Sequence, residues 1–153
     1  MSDIRPWYVL GRNGVTTIPE LVEKLNTKLR GKSLEEQLRT QLVTRVVLHR
    51  LLCAAELRLC DSWSSLEIAL RPDRETHWFE DFGHEIGHTF GFTFLTNRRI
   101  HNSWIVSELT IEHTEDFCDQ FAKAWLMEED NILELLELLQ KLRRDGMVSI
   151  PQG

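Results

Sequence analysis

Cysteine is scarce in this chain and does not come in pairs. Cys53, Cys60 and Cys118 are spread over 153 residues. An odd number without a C-x-x-C spacing argues against a disulfide framework and against a cysteine zinc site. All three stand among apolar residues expected to be helical, where a free cysteine behaves as a small hydrophobe. No run of 18 apolar residues exists, so no segment is expected to span a membrane. The opening stretch, Met1-Ser2-Asp3-Ile4-Arg5-Pro6-Trp7, lacks the apolar core of a secretory signal, and a cytoplasmic location is expected. Positive charge is also in deficit: 18 Lys and Arg face 24 Asp and Glu, for a net charge of -6 and a pI near 5.5. Direct nucleic-acid binding normally shows a basic patch and a high pI. The basic clusters here are short. Arg98-Arg99 falls in an expected turn, and Lys141, Arg143 and Arg144 complement a helix C-terminus. There is no internal repeat, low-complexity tract or linker. What remains, 42% hydrophobic and 27% charged, is the composition of a globular protein with a core. The length suits one domain over residues 1–153, its first 16 residues irregular.

Against that plain background one cluster stands out: His84-Glu85-Ile86-Gly87-His88, an H-E-x-x-H pattern. On a helix the two histidines lie one turn apart, about 6 Å in rise and roughly 40° in rotation, so both imidazoles reach one metal ion from one face. Glu85 lies beside that face, where a carboxylate can take a proton from water at the metal. The bland alternative is a surface helix with two solvated histidines. The segment from Thr76 to Phe90 is expected to be helical, with Thr76 as N-cap and Glu80 and Asp81 near the positive end of the dipole. Trp78, Phe82 and Ile86 form an apolar stripe, and Gly91 suits a left-handed stop. Gly83 and Gly87 weaken an isolated helix, so they are read as points where a neighbouring element comes close.

A catalytic zinc usually takes three protein ligands and keeps one position for water. The downstream candidates are His101, Glu108, Glu112, His113, Glu115 and Asp116. A His six residues after His88 is missing, because Phe94 stands there. Glu115 is favoured, since Glu115 and Asp119 fall at i, i+4 on one face of an expected helix. Glu115 can ligate while Asp119 accepts the free ring N–H of a ligand histidine, fixing its tautomer. Taken singly, each of these acids reads as part of a solvated helix face.

At this point the chain resembles the ImmA/IrrE family of metallopeptidases, which pairs an H-E-x-G-H-type helix with a later helix of the form E-x-x-A-N-x-F-A-x-x-L-L-M-P. Here that second stretch runs from Glu115 to Met127 and matches at Glu115, Phe121-Ala122 and Leu126-Met127. Cys118 replaces Ala, Asp119 replaces Asn, Trp125 replaces the first Leu and Glu128 replaces Pro. The likeness covers residues about 76 to 127. It implies a zincin-like α+β domain, mostly helical, with a sheet of about three strands and Zn²⁺ between two helices. It also implies a protein substrate: a DNA-binding repressor of the helix-turn-helix type in a mobile element or stress response.

Elsewhere, Pro19 and Gly31 bracket a first helix. Ser33 and Glu36 make a capping box opening a long second helix, through Leu38, Leu42, Val46 and Leu52 towards Leu59. His49, lone on that helix, is read as structural. Ser64 to Leu70 reads as a strand beside the cleft, able to pair an extended peptide. Phe92-Thr93-Phe94-Leu95 and Trp104-Ile105-Val106 are β-prone runs around a turn. The last helix, Asn131 to Arg144 within the span 131–145, has an apolar face wider than one core contact needs, which leaves a dimer or partner face open beside a core role; Gly146 stops it. The expected activity is therefore a zinc-dependent endopeptidase with His84, His88 and Glu115 as ligands and Glu85 as general base. The alternative is a catalytically silent, zinc-stabilised protein that sequesters a regulator. No oxyanion partner stands out, since Tyr8 is remote in sequence and His101 and His113 are weak substitutes.

Overall fold

The computed structural model of the chain describes residues 18–60, 65–96 and 111–152, with the backbone alone for 91–96 and 111–114. The first helix, α1 (Ile18–Leu29), buries Leu21, Val22, Leu25 and Leu29 on one side, and Gly31 at φ +87° turns the chain after it. Helix α2 (Leu34–Thr40) starts at Ser33, whose hydroxyl accepts from the Glu36 N–H at 3.1 Å. Then come β1 (Val43–Leu48), β2 (Ala55–Cys60) and β3 (Ser65–Leu70). A 3₁₀ segment, Pro72–His77, leads into α3 (Trp78–Thr96). Two further helices, α4 (Ile111–Trp125) and α5 (Glu129–Asp145), precede β4 (Met147–Ser149). The architecture is thus α+β. No helix among the described residues is long and apolar enough to cross a membrane.

The sheet has four strands in the order β2-β3-β1-β4, one more than expected. β1 runs parallel to β3 and antiparallel to β4, and β2 runs antiparallel to β3. The long second helix is not formed. Leu38, Leu42 and Val46 have helical spacing, but α2 ends at Thr40 and Leu42 takes a left-handed φ of +66°. Beyond it, Val43, Val46 and Val47 are β-branched; all three pair with β3, 22 or 23 residues away, and Val46 and Val47 pair also with β4, 102 and 100 residues away. His49 consequently sits in an exposed loop, Cys53 in an exposed turn and Cys60 at a strand end, so only Cys118 is a buried helical cysteine.

β3 is the second correction. It is buried on both faces and flanked by β1 and β2, so its edges cannot pair a peptide. Burial alone would raise the carboxyl pKa of Glu67 at its centre. Hydrogen bonds from Arg45 and Arg58 reverse this and hold it below the usual range. The terminal strand on this side is β2. Three features of α3 also differ from expectation. Thr76 lies within the 3₁₀ segment instead of capping the helix, Gly91 is helical, and the Phe92–Leu95 run continues the helix. Glycine permits a left-handed stop without imposing one, and strand propensity yields to context. Trp104–Val106, Arg98-Arg99, Tyr8 and the expected irregular start lie outside the described residues.

One hydrophobic core joins all these elements. Trp78, Phe82, Ile86 and Phe90 on α3 meet Phe117, Cys118, Phe121 and Trp125 on α4, with Leu66, Ile68 and Leu70 of β3. Phe90 stands edge-on to Phe121 at 5.4 Å between centroids. A polar network ties the ends: Trp125 Nε1 donates to Gln37 Oε1 at 2.8 Å, Gln37 Nε2 to Asn131 Oδ1 at 2.9 Å, and Asn131 Nδ2 to the Trp125 carbonyl at 2.9 Å. On α5, Leu135, Leu138, Leu139 and Leu142 are buried, whereas Ile132, Leu133 and Leu136 are 37%, 54% and 43% exposed, so only half of its wide apolar face is core. Gly146 ends α5 in a left-handed conformation, φ +78°, as expected.

Gly83 and Gly87 are the close-approach points. A Cβ on Gly83 would lie 3.0 Å from Ala122 Cβ, and one on Gly87 would lie 3.1 Å from Cys118 Cα. Because the second obstacle is backbone, Gly87→Val should force the helices apart. It should lower unfolding stability by about 2 kcal/mol, as overpacking does. Urea denaturation checks this, and an unchanged midpoint would show that the α3–α4 contact is loose.

Candidate metal centre

α3 and α4 run antiparallel, so that residue numbers rising on one fall on the other: Gly83 faces Ala122, His84 meets Asp119, Gly87 faces Cys118 and His88 meets Glu115. On α4 these positions, 115, 118, 119 and 122, form one stripe at i, i+3, i+4 and i+7. The four groups named from the sequence as ligands and support, His84, His88, Glu115 and Asp119, therefore come together.

Their polar atoms converge. His84 Nε2 lies 2.8 Å from Glu115 Oε1, and His88 Nε2 lies 3.0 Å from Glu115 Oε2. The two Nε2 atoms are 3.2 Å apart. Two ligands at tetrahedral angles on zinc, each roughly 2.0–2.1 Å from it, are separated by about 3.3 Å. The donor set and its spacing therefore fit a small divalent ion. His84 Nδ1 is 2.7 Å from Asp119 Oδ1. With the proton on Nδ1, this bond leaves the Nε2 lone pair pointing at Glu115 and His88. Burial, reinforced by the neighbouring His84, holds the His88 pKa below its ordinary value, which keeps that ring neutral and able to ligate.

Glu85 is buried, 5% exposed, one residue from the first histidine. Burial is the main reason that its carboxyl is pushed up to about 7; the charges of Glu115, Asp81 and Glu56 add to the rise, and that of His84 opposes it. Asp81, one turn earlier, is held by the Arg74 guanidinium through bonds of 2.9 and 3.0 Å. The cleft over these groups, of about 580 Å³, is walled by Cys53 to Leu57 of β2 and its approach, by α3 and by α4.

Several features went unread in the sequence. Glu80, one turn before His84, and Glu56 on β2 both line the cleft. The i, i+4 spacing was a signal for Glu80, but nothing local marks Glu56. Cys118 is the third: His84, His88 and Cys118 each bring one ligand atom within 4.8 Å of the others, so this group too could hold a metal ion. Glu115 is the better third ligand on two grounds. Its oxygens already lie at contact distance from both Nε2 atoms. Burial also pushes the Cys118 thiol well above its ordinary pKa, disfavouring the thiolate that ligation needs. Of the other candidates, His101 and Glu108 lie outside the described residues, as do the side chains of Glu112 and His113. Asp116 does not line the cleft.

No family model matches the chain, and no curated protein or solved structure matches it either. The site is therefore read from its own chemistry.

Two outcomes follow. Zinc affinity, measured by competition with a chromogenic chelator, should fall about 10- to 100-fold in Asp119→Ala. It should fall further in Glu115→Ala and change by less than about threefold in Cys118→Ala, since the core thiol is not expected to be among the ligands. A larger loss from Cys118→Ala than from Glu115→Ala would put the thiol in the coordination shell. The second outcome concerns pH. Glu85 titrates higher folded than unfolded, so its contribution to stability is full below about 4.5 and is lost as pH rises through about 7. In chelator, Glu85→Gln should gain on the order of 3 kcal/mol over the wild type between pH 4.5 and 8. Parallel pH profiles of urea stability for the two proteins would contradict the burial of that carboxyl.

Proposed function

We propose that the chain is a zinc-dependent endopeptidase on a zincin-like fold, with His84, His88 and Glu115 as ligands and Glu85 as general base. The observation that carries this reading is Glu85: a buried carboxyl, next in the chain to His84, beside two imidazoles and a carboxylate that converge. A site that only stabilises a fold has no use for a buried acid there. Two imidazoles and a carboxylate suit zinc. When bound, the ion supplies Lewis acidity and makes water a stronger acid near neutral pH.

The protein's own groups do the rest. Glu85, whose ionised form a bound cation would favour, would accept the proton of the attacking water and return it to the departing amine. Asp119 keeps His84 in the tautomer with Nε2 free. β2, terminal in the sheet among the described residues and forming one wall of the cleft, offers backbone groups that an extended peptide can join as an added strand. This role, first expected of Ser64 to Leu70, belongs to the neighbouring strand. For the substrate we infer a DNA-binding repressor of the helix-turn-helix type, on the strength of the family resemblance, acting in the cytoplasm.

A second reading draws on Cys118. A thiolate joining His84, His88 and Glu115 would close the shell and leave no position for water, as in structural zinc sites. The chain would then sequester its regulator without cutting it. The burial of Cys118 against Gly87, outside the lining of the cleft, argues for the first reading.

The test is hydrolysis. Zinc-loaded wild type, incubated with a helix-turn-helix repressor encoded beside its gene, should yield fragments at one bond by intact mass. Glu85→Gln should retain zinc and fold and lose at least about 1,000-fold in rate, as a lost general base implies. Equal cleavage by both would remove Glu85 from the mechanism, and a stable uncut complex with both would favour sequestration.

A further inference from the structure

We propose that the cleft selects peptides with lysine or arginine beside the segment held over the histidines, and that Glu56 and Glu80 recognise those side chains. The inference rests on the peptidase reading of the site and names its substrate class.

Six carboxylates line the cleft, those of Glu56, Glu80, Asp81, Glu85, Glu115 and Asp119, and no lysine or arginine does so among the described residues. Four of them have an internal role. Asp81 is paired with Arg74, Glu85 is buried, and Glu115 and Asp119 hold the two histidines. Glu56 and Glu80 are different. Both are exposed, and neither has an ion pair among the described residues. A divalent ion and Arg74 would offset the charges of Glu115, Asp119 and Asp81, and Glu85 is buried, so the exposed carboxylates of Glu56 and Glu80 keep the wall negative with the metal in place.

Position gives these two acids a consistent use. Glu80, His84 and His88 are spaced i, i+4, i+8 and share one face of α3, with Glu80 one turn before the first histidine. Glu56 lies on β2, opposite Ala69 of β3, on the strand that ends the sheet among the described residues and whose outer edge an extended peptide could join. A peptide laid along β2 and over the histidines therefore passes one carboxylate on the strand wall and another on the helix wall. Apolar walls with charges of one sign focus the field and raise the local concentration of the opposite charge. Guanidinium and ammonium groups are the peptide chemistry that answers it, and arginine can engage a carboxylate through two hydrogen bonds. An acidic or phosphorylated peptide would meet like charge along the same path.

The test uses zinc-loaded full chain carrying Glu85→Gln and two labelled peptides, identical except for lysine or glutamate at alternate positions. Fluorescence anisotropy at low salt should show the lysine peptide binding about tenfold more tightly or better. The preference should shrink as salt rises. Adding Glu56→Gln and Glu80→Gln should bring the two affinities within about twofold, and Glu56→Lys with Glu80→Lys should reverse the order. Equal binding of the two peptides, or a lysine preference unchanged by the paired Gln substitutions, overturns the proposal. Intact masses after incubation with wild type separate this from the reading beneath it. Selective binding without cleavage keeps the charge preference and removes the peptidase. Cleavage of both peptides at equal rates keeps the peptidase and removes the charge preference.

Discussion

The separation of α3 and α4 governs everything that the site can do. Two glycines on one helix face the small side chains of Ala122 and Cys118 on the other, and at these points α3 adds no side chain of its own to the gap. At this separation short side chains span the gap, so Glu115 reaches both imidazoles and Asp119 reaches the far nitrogen of His84. An extra methyl group on Gly87 would press on the opposing main chain, which cannot swing aside as a side-chain tip can. Each glycine costs helical stability, about 1 kcal/mol relative to alanine. Aromatic burial on the same faces offsets that cost, with Phe82 packed near Trp125 and Phe90 against Phe121.

This constraint also explains why the site was more legible than the fold. Metal-ligand spacing within one helical turn is local information, and so is the i, i+4 relation of Glu115 and Asp119. The glycines in α3, costly in any isolated helix, signalled a close neighbour before that neighbour was known. By contrast, Val43 to Leu48 owes its state to partners far along the chain. Its spacing of apolar residues matched a helix as well as a strand, and only pairing with β3 and β4 decided between them. β4 is three residues long, too short for periodicity to register. Glu56 became part of the site through the same strand pairing, which no local pattern encodes. Gly91 shows the converse error, in which a residue able to end a helix stands inside one.

The buried polar groups divide into those that are satisfied and those that are held ready. Gln37, Asn131 and Trp125 form a closed set of hydrogen bonds that joins α2, α4 and α5, and Gln41 Nε2 donates to Thr89 Oγ1 on α3 at 2.9 Å. Such a network specifies the register of helices that apolar packing alone would leave free to slide. Glu85 belongs to the other kind. It is buried at an energetic cost, and a positive charge near the histidines would relieve that cost by favouring its ionised form. The site is in this sense coupled to the stability of the whole protein.

The pairing of β1 with β4 places residues 45–47 against residues 147–149, and the amide of Leu34 donates to Glu134 at 2.6 Å. Contacts that span about a hundred residues are slow to form, because the intervening chain must first give up its freedom. During synthesis α3 and α4 emerge before the last strand exists. β2, the wall of the cleft, pairs with β3 and lies at the opposite end of the sheet from β4, so the elements that line the cleft, β2, α3 and α4, are all in place before β4 arrives. Strand β4 then braces β1, and through it β3, from the side away from the cleft, so the late segment steadies a site whose lining residues, 53–57, 80–88, 115 and 119, are already together.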